Sequence, residues 1–408
     1  MQKIDLDFLT PELLSKHQMA TDAWTIIVLG DINHSPRMCN HVEMLKKYYT
    51  VQVICYGTLK GTSSLPLPTF QFNSFFMFWS IVKFVLQALY LFYYLIRYPT
   101  PNIIIQNPPS IPVLAALTLL KFFTNKFIVL DWHNLGYTIL QTRTEGTVIE
   151  VYKKLECTFA KIADVHLAVS TEMKDFLCNN WELSNVHVLY DYPPDFFKSF
   201  NALERQQFWT TLAGYRECAI VENINIEKVL KIVTGTSYTP DEDIFMLLDA
   251  LHMLDSYLNK QPGICVVAFI TGKGPLREQV EMRIAALNLQ HVKICCVWLK
   301  YSDYPKLLAS CDVGISLHAS SSGLDLPMKI WDMFGCGLPV FALDYRALSE
   351  LVLKSYGYTF QDSNGLFQLL VSQMDGLLDL ESCSRVIQND FASKRWSKEW
   401  QSKMLPLI

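Results

Sequence analysis

The chain has 408 residues, of which 50% are hydrophobic and only 18% are charged, and its formal net charge is −4. This length allows two domains with sizeable cores, and the lack of a basic excess argues against a nucleic acid as partner. Eleven cysteines without Cys-x-x-Cys pairs or metal-type Cys/His spacing are typical of a reducing compartment rather than of a disulfide framework.

The first half of the chain alternates predicted strands and helices after a polar N-terminal tail over 1–22. The predicted strands are Thr25–Leu29, Val51–Cys55, Ile103–Gln106, Phe127–Asp131 and His166–Val169, and the helices are Met38–Tyr49, Pro112–Phe123, Glu150–Ala163 and Thr171–Asn180. This spacing predicts an α/β domain with a parallel sheet over 23–200. Ser170 or Thr171 is the expected cap of the helix that follows it.

One strongly hydrophobic segment, 75–96, is interrupted only by Lys83 and Gln87. Its length would cross a bilayer, but a crossing would separate the loop at Gly30 from Asp131, which should belong to one domain. We therefore predict a membrane-associated helix that lies in the membrane plane, because its Phe, Tyr and Trp side chains suit the headgroup boundary. A buried core helix is the alternative.

The second half predicts another α/β domain over 228–387, after a linker with some helix over 201–227. Its predicted strands are Val229–Val233, Cys265–Ile270, Val292–Val297, Val313–Leu317 and Val340–Leu343, and its helices include Asp243–Asn259, Pro275–Leu287 and Tyr304–Ala309. A last helix, Gln388–Met404, is predicted within a C-terminal segment over 388–408.

The largest group of candidate functional residues follows the strand Val313–Leu317. A loop of small residues opens a helix that carries Lys329 and, one turn on, Asp332. Backbone N–H groups at such a helix start can bind phosphate, and Lys329 can neutralise its charge. Asp332 can accept hydrogen bonds from ribose hydroxyls. An ordinary strand–helix–strand unit with a polar turn is the alternative.

The run Ser-Ser-Ser-Gly-Leu-Asp-Leu-Pro-Met-Lys at 320–329 resembles the donor-sugar site of GT-B glycosyltransferases, which have two facing Rossmann-like domains. Within that class it resembles the β-1,4-mannosyltransferases that add the first mannose to chitobiosyl-diphosphodolichol. The resemblance extends over about 25–408 in the family order, through Leu29–Asp31, Ser35–Met38, Gln106–Pro109, Asp131–Asn134, Thr236–Asp243, Thr271–Glu278, Arg395–Trp396 and Leu405–Leu407.

The resemblance implies an α/β fold in which two Rossmann-like domains with parallel sheets bind ligands at the carboxyl ends of their strands. It also implies a C-terminal helix, over 388–408, that crosses back to the N-terminal domain. Members of the family commonly start with a membrane-spanning anchor, and the polar tail over 1–22 departs from that pattern.

The donor site implied by the resemblance comprises residues of three loops. They are Ser237, Gly272, Lys273, Gly274, Ser320, Ser321, Ser322, Gly323, Leu324, Asp325, Lys329 and Asp332. Asp325 is the carboxylate expected nearest the mannose, and the loop at 271–274 is expected to contact the diphosphate or nucleotide although it is not a Walker motif. As alternatives, the serines are simply turn formers and Lys273 is a solvated surface lysine.

The acceptor site implied by the resemblance lies in the N-terminal domain. Its expected members are Gly30, Asp31, Arg37 and Asn134. Gly30 would let the backbone approach a charged ligand, with plain turn sterics as the alternative, and Arg37 would pair with a phosphate.

The chemistry of an inverting transfer adds a requirement for a general base. The base takes the proton from the attacking hydroxyl, while cationic or N–H groups stabilise the departing diphosphate. His133 and Asp131, at the carboxyl end of a strand, are the leading candidates, and Glu242 is the third. As alternatives, Asp131 caps its turn and His133 only orients the substrate.

These inferences predict an inverting mannosyltransferase that moves mannose from GDP-mannose to GlcNAc2-diphosphodolichol in β-1,4 linkage. The expected partners are GDP-mannose, the dolichol-linked chitobiose diphosphate, the endoplasmic reticulum membrane at its cytosolic face, and other early-pathway mannosyltransferases. The resemblance implies no obligatory cofactor or metal and leaves stimulation by a divalent cation open. The acids at Asp241–Asp243 contain an Asp-x-Asp spacing, but they open a helix, where they complement its dipole. The alternatives are another lipid-linked nucleotide-sugar glycosyltransferase of this fold and a catalytically silent scaffold paralogue.

Overall fold

A computed structural model of the protein describes residues 23–67, 77–239, 242–260 and 265–408. The chain divides into two compact units. The N-terminal unit runs to Leu189 and also takes Lys403–Ile408, and the C-terminal unit is Tyr190–Ser402. Each unit contains one parallel sheet, which confirms the predicted α/β fold class.

The sheet of the N-terminal unit has seven parallel strands in the order β3-β2-β1-β4-β5-β6-β7. The strands are β1 Ala23–Ile27, β2 Thr50–Cys55, β3 Ser63–Pro66, β4 Asn102–Asn107, β5 Phe127–Trp132, β6 Val165–Ala168 and β7 Val186–Val188. The chain leaves β1 and β4 in opposite directions, so the carboxyl ends of these two strands mark the place where doubly wound sheets bind ligands.

Six helices of the N-terminal unit are described. They are α1 Pro36–Leu45, α2 Met77–Arg97, α3 Ile111–Lys121, α4 Gly136–Gln141, α5 Thr147–Ala160 and α6 Thr171–Trp181. Ser170 caps α6, as predicted, because its hydroxyl oxygen accepts a hydrogen bond from the Met173 N–H at 2.9 Å. The predicted hydrophobic helix corresponds to α2, and its first two residues lie outside the described ranges. Within those ranges, no helix combines the length and hydrophobicity that a membrane crossing requires.

The sheet of the C-terminal unit has six parallel strands in the order β10-β9-β8-β11-β12-β13. The strands are β8 Leu230–Gly235, β9 Val266–Thr271, β10 Val292–Val297, β11 Val313–Ser316, β12 Val340–Leu343 and β13 Gly357–Phe360. The helices are α7 Ala202–Ala213, α8 Ile244–Tyr257, α9 Arg277–Leu287, α10 Tyr304–Ser310, α11 Met328–Gly335, α12 Ser363–Met374, α13 Leu380–Phe391 and α14 Trp396–Lys403.

The segment predicted as a linker with some helix contains α7. A capping box starts this helix, because Asn201 and Glu204 exchange side-chain-to-backbone hydrogen bonds of 2.9 Å. Phe208 and Trp209 of α7 are part of the core of the C-terminal unit, so this stretch is packed against the sheet domain.

The prediction of one continuous helix over Gln388–Met404 is wrong. The chain leaves the helical path after Phe391, and α14 begins only at Trp396. The Arg395 guanidinium donates to the Phe197 carbonyl at 2.7 Å, and the Trp396 N–H donates to the Pro193 carbonyl at 3.2 Å. These bonds turn the chain so that the Trp396 ring becomes buried, which offsets the lost helical hydrogen bonds.

Candidate active site

Lys329 and Glu242 form an ion pair in the C-terminal unit. Lys329 lies on the first turn of α11, and the Glu242 side chain is buried just before α8. The second carboxylate oxygen of Glu242 accepts the Ser237 N–H at 2.7 Å. Glu242 therefore ties the loop after β8 to α11 and holds the predicted phosphate-binding lysine. Both carboxylate oxygens are engaged by donors, which disfavours Glu242 as the general base.

Asp325 organises the serine loop that follows β11. This buried carboxylate accepts hydrogen bonds from Ser320 and, at 3.4 Å, from Ser322. Its other oxygen lies 2.8 Å from Nε2 of His318, and the Tyr345 hydroxyl donates to its backbone carbonyl at 2.9 Å. Ser320 and Ser322 thus shape the loop around Asp325, while His318 holds the carboxylate and Tyr345 holds the backbone carbonyl.

The remaining members of this loop have different roles. Gly323 has a φ of 70°, a conformation that favours glycine, and its N–H donates to the Ser320 hydroxyl at 2.8 Å. Leu324 is buried, and its N–H donates to the Ser322 hydroxyl at 3.2 Å. Ser321 is exposed at the tip of the loop. The predicted cluster at 320–325 is therefore a single hydrogen-bonded unit with one side open to solvent.

Gly272 and Gly274 let the loop after β9 lie against the loop after β8. A Cβ atom at either position would come within 1.7 Å of a backbone oxygen, that of Thr236 or of Ser237. Glycine is required at both positions for packing alone, whatever they contact in a ligand. Between them, Lys273 is exposed, with its ammonium 4.4 Å from the ring centroid of Trp298.

Asp332 lies one turn beyond Lys329 on α11 and is half-buried. Burial raises the pKa of Asp332 well above its ordinary value, the Asp191 carboxylate raises it further, and the Lys329 charge opposes both. The protonated form is thereby favoured. A protonated carboxyl both donates and accepts hydrogen bonds, which suits a pair of neighbouring hydroxyls such as a ribose diol.

Three charged or titratable side chains, those of Arg37, His41 and His133, form a network around the Asp131 carboxylate at the end of β5 in the N-terminal unit. Arg37 donates two hydrogen bonds of 2.8 Å to the Asp131 carboxylate and a third, of 2.9 Å, to the Leu189 carbonyl. His41, one turn after Arg37 on α1, lies 3.3 Å from the same carboxylate. The side chains of Arg37, His41 and Asp131 are fully buried, so the pair of Arg37 and Asp131 is shielded from water and held in one geometry.

Burial alone would raise the pKa of Asp131, but Arg37, His133 and His41 outweigh it and hold the pKa well below the ordinary value. Asp131 is therefore ionised and too weakly basic to take a proton from a sugar hydroxyl. Burial also lowers the pKa of His41, which keeps its ring neutral. Because the Arg37 guanidinium is already hydrogen-bonded to Asp131, a phosphate could bind Arg37 only by displacing the Asp131 carboxylate.

His133 is the accessible member of this network, with 20% of its side chain exposed. Its ring atom Nε2 lies 3.0 Å from Asp131 Oδ2. Its backbone N–H donates to the Asn107 carbonyl at 2.8 Å. An ionised carboxylate can only accept, so the Asp131 contact selects the tautomer with the proton on Nε2. The lone pair on Nδ1 is then the basic atom of the ring.

A second buried group supports the backbone around His133. The Glu156 carboxylate accepts the Asn107 side-chain N–H at 3.0 Å and the Gly136 N–H at 2.8 Å. Asn134 accepts the Leu135 N–H at 2.8 Å through its side-chain oxygen. Glu156 thus links Asn107, at the end of β4, to Gly136, in the segment that follows β5 and His133.

The other two predicted acceptor residues follow β1. Asp31 accepts the backbone and side-chain N–H groups of Asn33 at 3.0 and 2.7 Å, and these bonds lower the pKa of Asp31. An added Cβ atom at Gly30 would meet only an ordinary contact, 3.8 Å from Val28. Packing in the described chain therefore gives no reason for glycine there, and close approach of a ligand stays a prediction.

The motifs did not point to three residues that these clusters include: His41, His318 and Trp298. His41 follows Arg37 by four residues, which places both on one face of α1. Trp298 directly follows β10 and His318 follows β11 by two residues, so the rule that polar and aromatic groups gather at strand ends could have found them. Among the described residues, no group of three or more His, Cys, Asp and Glu side chains is placed to hold a metal ion.

Comparison with solved structures places this architecture in a known class. The structure of Anabaena Alr3699/HepE in complex with UDP is similar over 94% of this chain and 98% of that one, with a TM-score of 0.69 and 14% sequence identity. This similarity, together with one parallel sheet in each unit, shows the GT-B fold that the sequence predicted.

Sequence comparison narrows the class to a family. A chitobiosyldiphosphodolichol beta-mannosyltransferase of Candida glabrata is 37% identical over 425 residues, which cover 98% of this chain and 93% of the relative. The chain belongs to the chitobiosyldiphosphodolichol β-mannosyltransferase family, which confirms the resemblance seen in the motifs. A protein of Arabidopsis thaliana named UDP-glycosyltransferase TURAN is 31% identical over 94% of this chain and 96% of its own. No protein-family model matches the chain.

Proposed function

We propose that this protein is an inverting mannosyltransferase that moves mannose from GDP-mannose to GlcNAc2-diphosphodolichol in β-1,4 linkage. The reaction would take place at the cytosolic face of the endoplasmic reticulum membrane, as an early step of N-glycan precursor synthesis. Near full-length similarity to the Candida glabrata mannosyltransferase is the observation that carries the proposal. We also propose that the reaction requires no obligatory cofactor.

On the donor side, the proposal assigns the diphosphate to Lys329. This ammonium is held by Glu242 but keeps about a third of its side chain exposed, so a diphosphate can share or replace the carboxylate. The hydrogen-bonded loop around Asp325 would meet the mannose hydroxyls, and Asp332 would meet the ribose. The loop at 272–274 would provide N–H groups near the phosphates, and Ser237, whose own N–H is taken by Glu242, would offer its hydroxyl.

On the acceptor side, the proposal assigns the general base to His133. Nδ1 would take the proton from O4 of the terminal GlcNAc as that oxygen forms a bond to C1 of mannose. The bond from C1 to the donor phosphate oxygen breaks, and GDP leaves with the electron pair. Asp131, ionised and paired with Arg37, would stabilise the imidazolium that forms. Asp131 and Arg37 are then positioning residues.

The name of the Arabidopsis thaliana relative supports a second candidate, a transferase of the same fold that uses a UDP-sugar. A catalytically silent scaffold is a third candidate, and the intact clusters around Asp131 and Asp325 argue against it. The three candidates predict different outcomes in one assay.

The assay offers radiolabelled GDP-mannose and a synthetic GlcNAc2-diphosphate-phytanyl acceptor to the purified full-length chain, with UDP-glucose and UDP-N-acetylglucosamine as parallel donors. Transfer from GDP-mannose to give a product that β-mannosidase digests is the expected result. Transfer from a UDP-sugar alone would favour the second candidate. Binding of GDP without transfer from any donor would favour the scaffold.

A further inference from the structure

Three helices form one layer on the N-terminal sheet. The connection from β1 to β2 runs in the opposite direction to those from β4 to β5 and from β5 to β6. Because such crossovers are right-handed, α3 and α5 lie on the same face of the sheet, opposite α1. The helix α2 packs against α3, and α3 packs against α5. The outward sides of these three helices therefore make one surface.

This surface is apolar on each of the three helices. Exposed side chains include Leu89 and Tyr93 of α2, Phe122 and Phe123 at the end of α3, and Val151 and Leu155 of α5. A spacing of four residues keeps Leu89 and Tyr93 on one side of α2, and Val151 and Leu155 on one side of α5. Phe122 and Phe123, at 78% and 84%, are the most exposed large hydrophobic residues that the structure describes. We call these six residues the three-helix surface.

The composition of α3 is unusual for a helix at the surface of a soluble protein. Six of its eleven residues are buried, and of the other five Leu119 is exposed and only Thr118 and Lys121 are polar, whereas such a helix normally presents a polar outer side. Contiguous exposed apolar area of this kind marks a surface that binds something.

The charges around the three-helix surface indicate what it binds. The helices α2, α3 and α5 carry five Lys or Arg residues against two Glu, one of which, Glu156, is buried. The chain as a whole is acidic, with a net charge of −4. Arg97 ends α2 and is exposed, whereas Lys121, at the end of α3, is paired with Asp164 at 2.9 Å. Exposed aromatic and aliphatic side chains flanked by cations suit the headgroup region of a bilayer with acidic lipids.

We propose that the three-helix surface rests on a lipid bilayer, with its apolar side chains at the boundary between headgroups and acyl chains. The sequence assigned membrane contact to the segment 75–96 alone, and the structure adds the Phe pair of α3 and the stripe of α5. The inference rests on the proposed function, whose acceptor is held in a membrane.

The attachment is coupled to the candidate site through the start of α3. The Ser110 side chain, at the cap of α3, donates to the side chain of Asn107, and the Asn107 carbonyl binds the His133 N–H at 2.8 Å. Membrane contact of this helix layer would thus set the height of His133 above the lipid surface and favour acceptors whose diphosphate lies at that surface.

The test compares the full-length chain with the double variant F122D/F123D. Binding is measured by sedimentation with phosphatidylcholine vesicles, with and without phosphatidylserine. We expect the wild type to bind, more tightly with phosphatidylserine, and the variant to lose at least about tenfold in apparent affinity. Leu377, 74% exposed in the C-terminal unit, provides the matched control, and L377D should bind vesicles like the wild type.

A second measurement separates this inference from the proposed function. F122D/F123D should keep wild-type GDP binding and turnover on a short-chain, water-soluble acceptor, and lose turnover on a vesicle-borne acceptor. Vesicle binding is scored even if no transfer is found with either acceptor, so the two proposals fail separately. Equal vesicle binding by variant and wild type would overturn the inference. If that result came with a shift from dimer to monomer in sedimentation velocity, the surface would instead be an interface between copies.

Discussion

The clusters in the two units follow the same local pattern, a buried strand and then a polar loop, but they use charge differently. Around Asp131 the carboxylate, Arg37 and His41 are fully buried and satisfy one another, and only His133 reaches solvent. In the C-terminal unit Lys329 and the serine loop remain partly exposed, and each acidic group has a few donors rather than a closed network. A closed network fixes one side chain in one orientation, whereas an open cluster can exchange partners with a ligand.

This difference suggests a division of roles. The N-terminal network orients a base, and the C-terminal cluster binds the donor. Substitutions in the first should affect turnover or folding, and substitutions in the second should affect ligand affinity. The following predictions test that comparison.

Replacing His133 by alanine should have the largest effect on activity. Loss of the general base should lower kcat about 10²- to 10⁴-fold, while the free energy of unfolding changes by less than about 1 kcal/mol because the ring is partly exposed. Steady-state kinetics and urea unfolding measure the two quantities. H187A, at a half-exposed histidine on β7, is the control. A kcat within threefold of the wild type would exclude His133 as the base.

Asp131→Asn should have the largest effect on stability. Removing the charge leaves Arg37 buried without its counter-ion, which typically costs about 3–5 kcal/mol. The control is D249N, because Asp249 forms an exposed pair with Arg283 at 3.3 Å and its loss should cost less than about 1 kcal/mol. Urea unfolding of both variants gives the comparison. Equal losses would mean that the Asp131 network is not a closed buried unit.

Stability should fall between about pH 6.5 and pH 4 because of His166. Burial lowers the pKa of this histidine to about 4, so between these values the unfolded chain binds a proton that the folded chain does not. Acidification then favours unfolding by about 3 kcal/mol over this window. His41, whose pKa burial also lowers, acts in the same direction, while Asp131 loses its contribution only as the pH falls below about 4.

The variant H166Q keeps an acceptor for the Trp132 indole N–H, which donates to His166 at 3.2 Å. It should flatten the pH dependence of unfolding in this window. H252Q, at an exposed histidine of α8, should not. An unchanged slope in H166Q would show that His166 is not held neutral by the fold.

Lys329→Ala should have a smaller effect, and on binding rather than folding. Loss of one charge-assisted contact to the diphosphate should weaken GDP at least about tenfold. K306A is the control, since Lys306 is an exposed lysine of the same unit, paired with the buried Asp303. Calorimetric titration of GDP measures the affinities. An unchanged affinity in K329A would remove Lys329 from the donor site.

Much of the fold could be predicted because parallel strands are buried on both faces and form clear apolar runs. Every predicted strand is present, and its bounds are either identical or shifted by one or two residues. The strands β3, β7 and β13 escaped prediction because they are both short and only partly buried, and β3 also contains a proline at the sheet edge. The break between α13 and α14 escaped because its cause is a set of bonds to residues some 200 positions away.

The candidate site was predictable in membership but not in pairing. The strand-end rule located Asp131 and His133, and the family resemblance added Arg37 as a phosphate partner. The partnership of Arg37 with Asp131 joins residues 94 positions apart. Glu242 is a second example. Its place in the sequence allowed the role of general base, but in the structure its carboxylate pairs with Lys329. A sequence pattern indicates which side chains reach the end of a sheet, and the protonation state of each depends on neighbours that only the fold supplies.

The most direct test of the division of roles is calorimetric titration of GDP into H133A and K329A under the same conditions. We expect H133A, although inactive in transfer, to bind GDP within about twofold of the wild type, and K329A to bind at least about tenfold more weakly. The opposite outcome, weak binding by H133A and normal binding by K329A, would contradict the account.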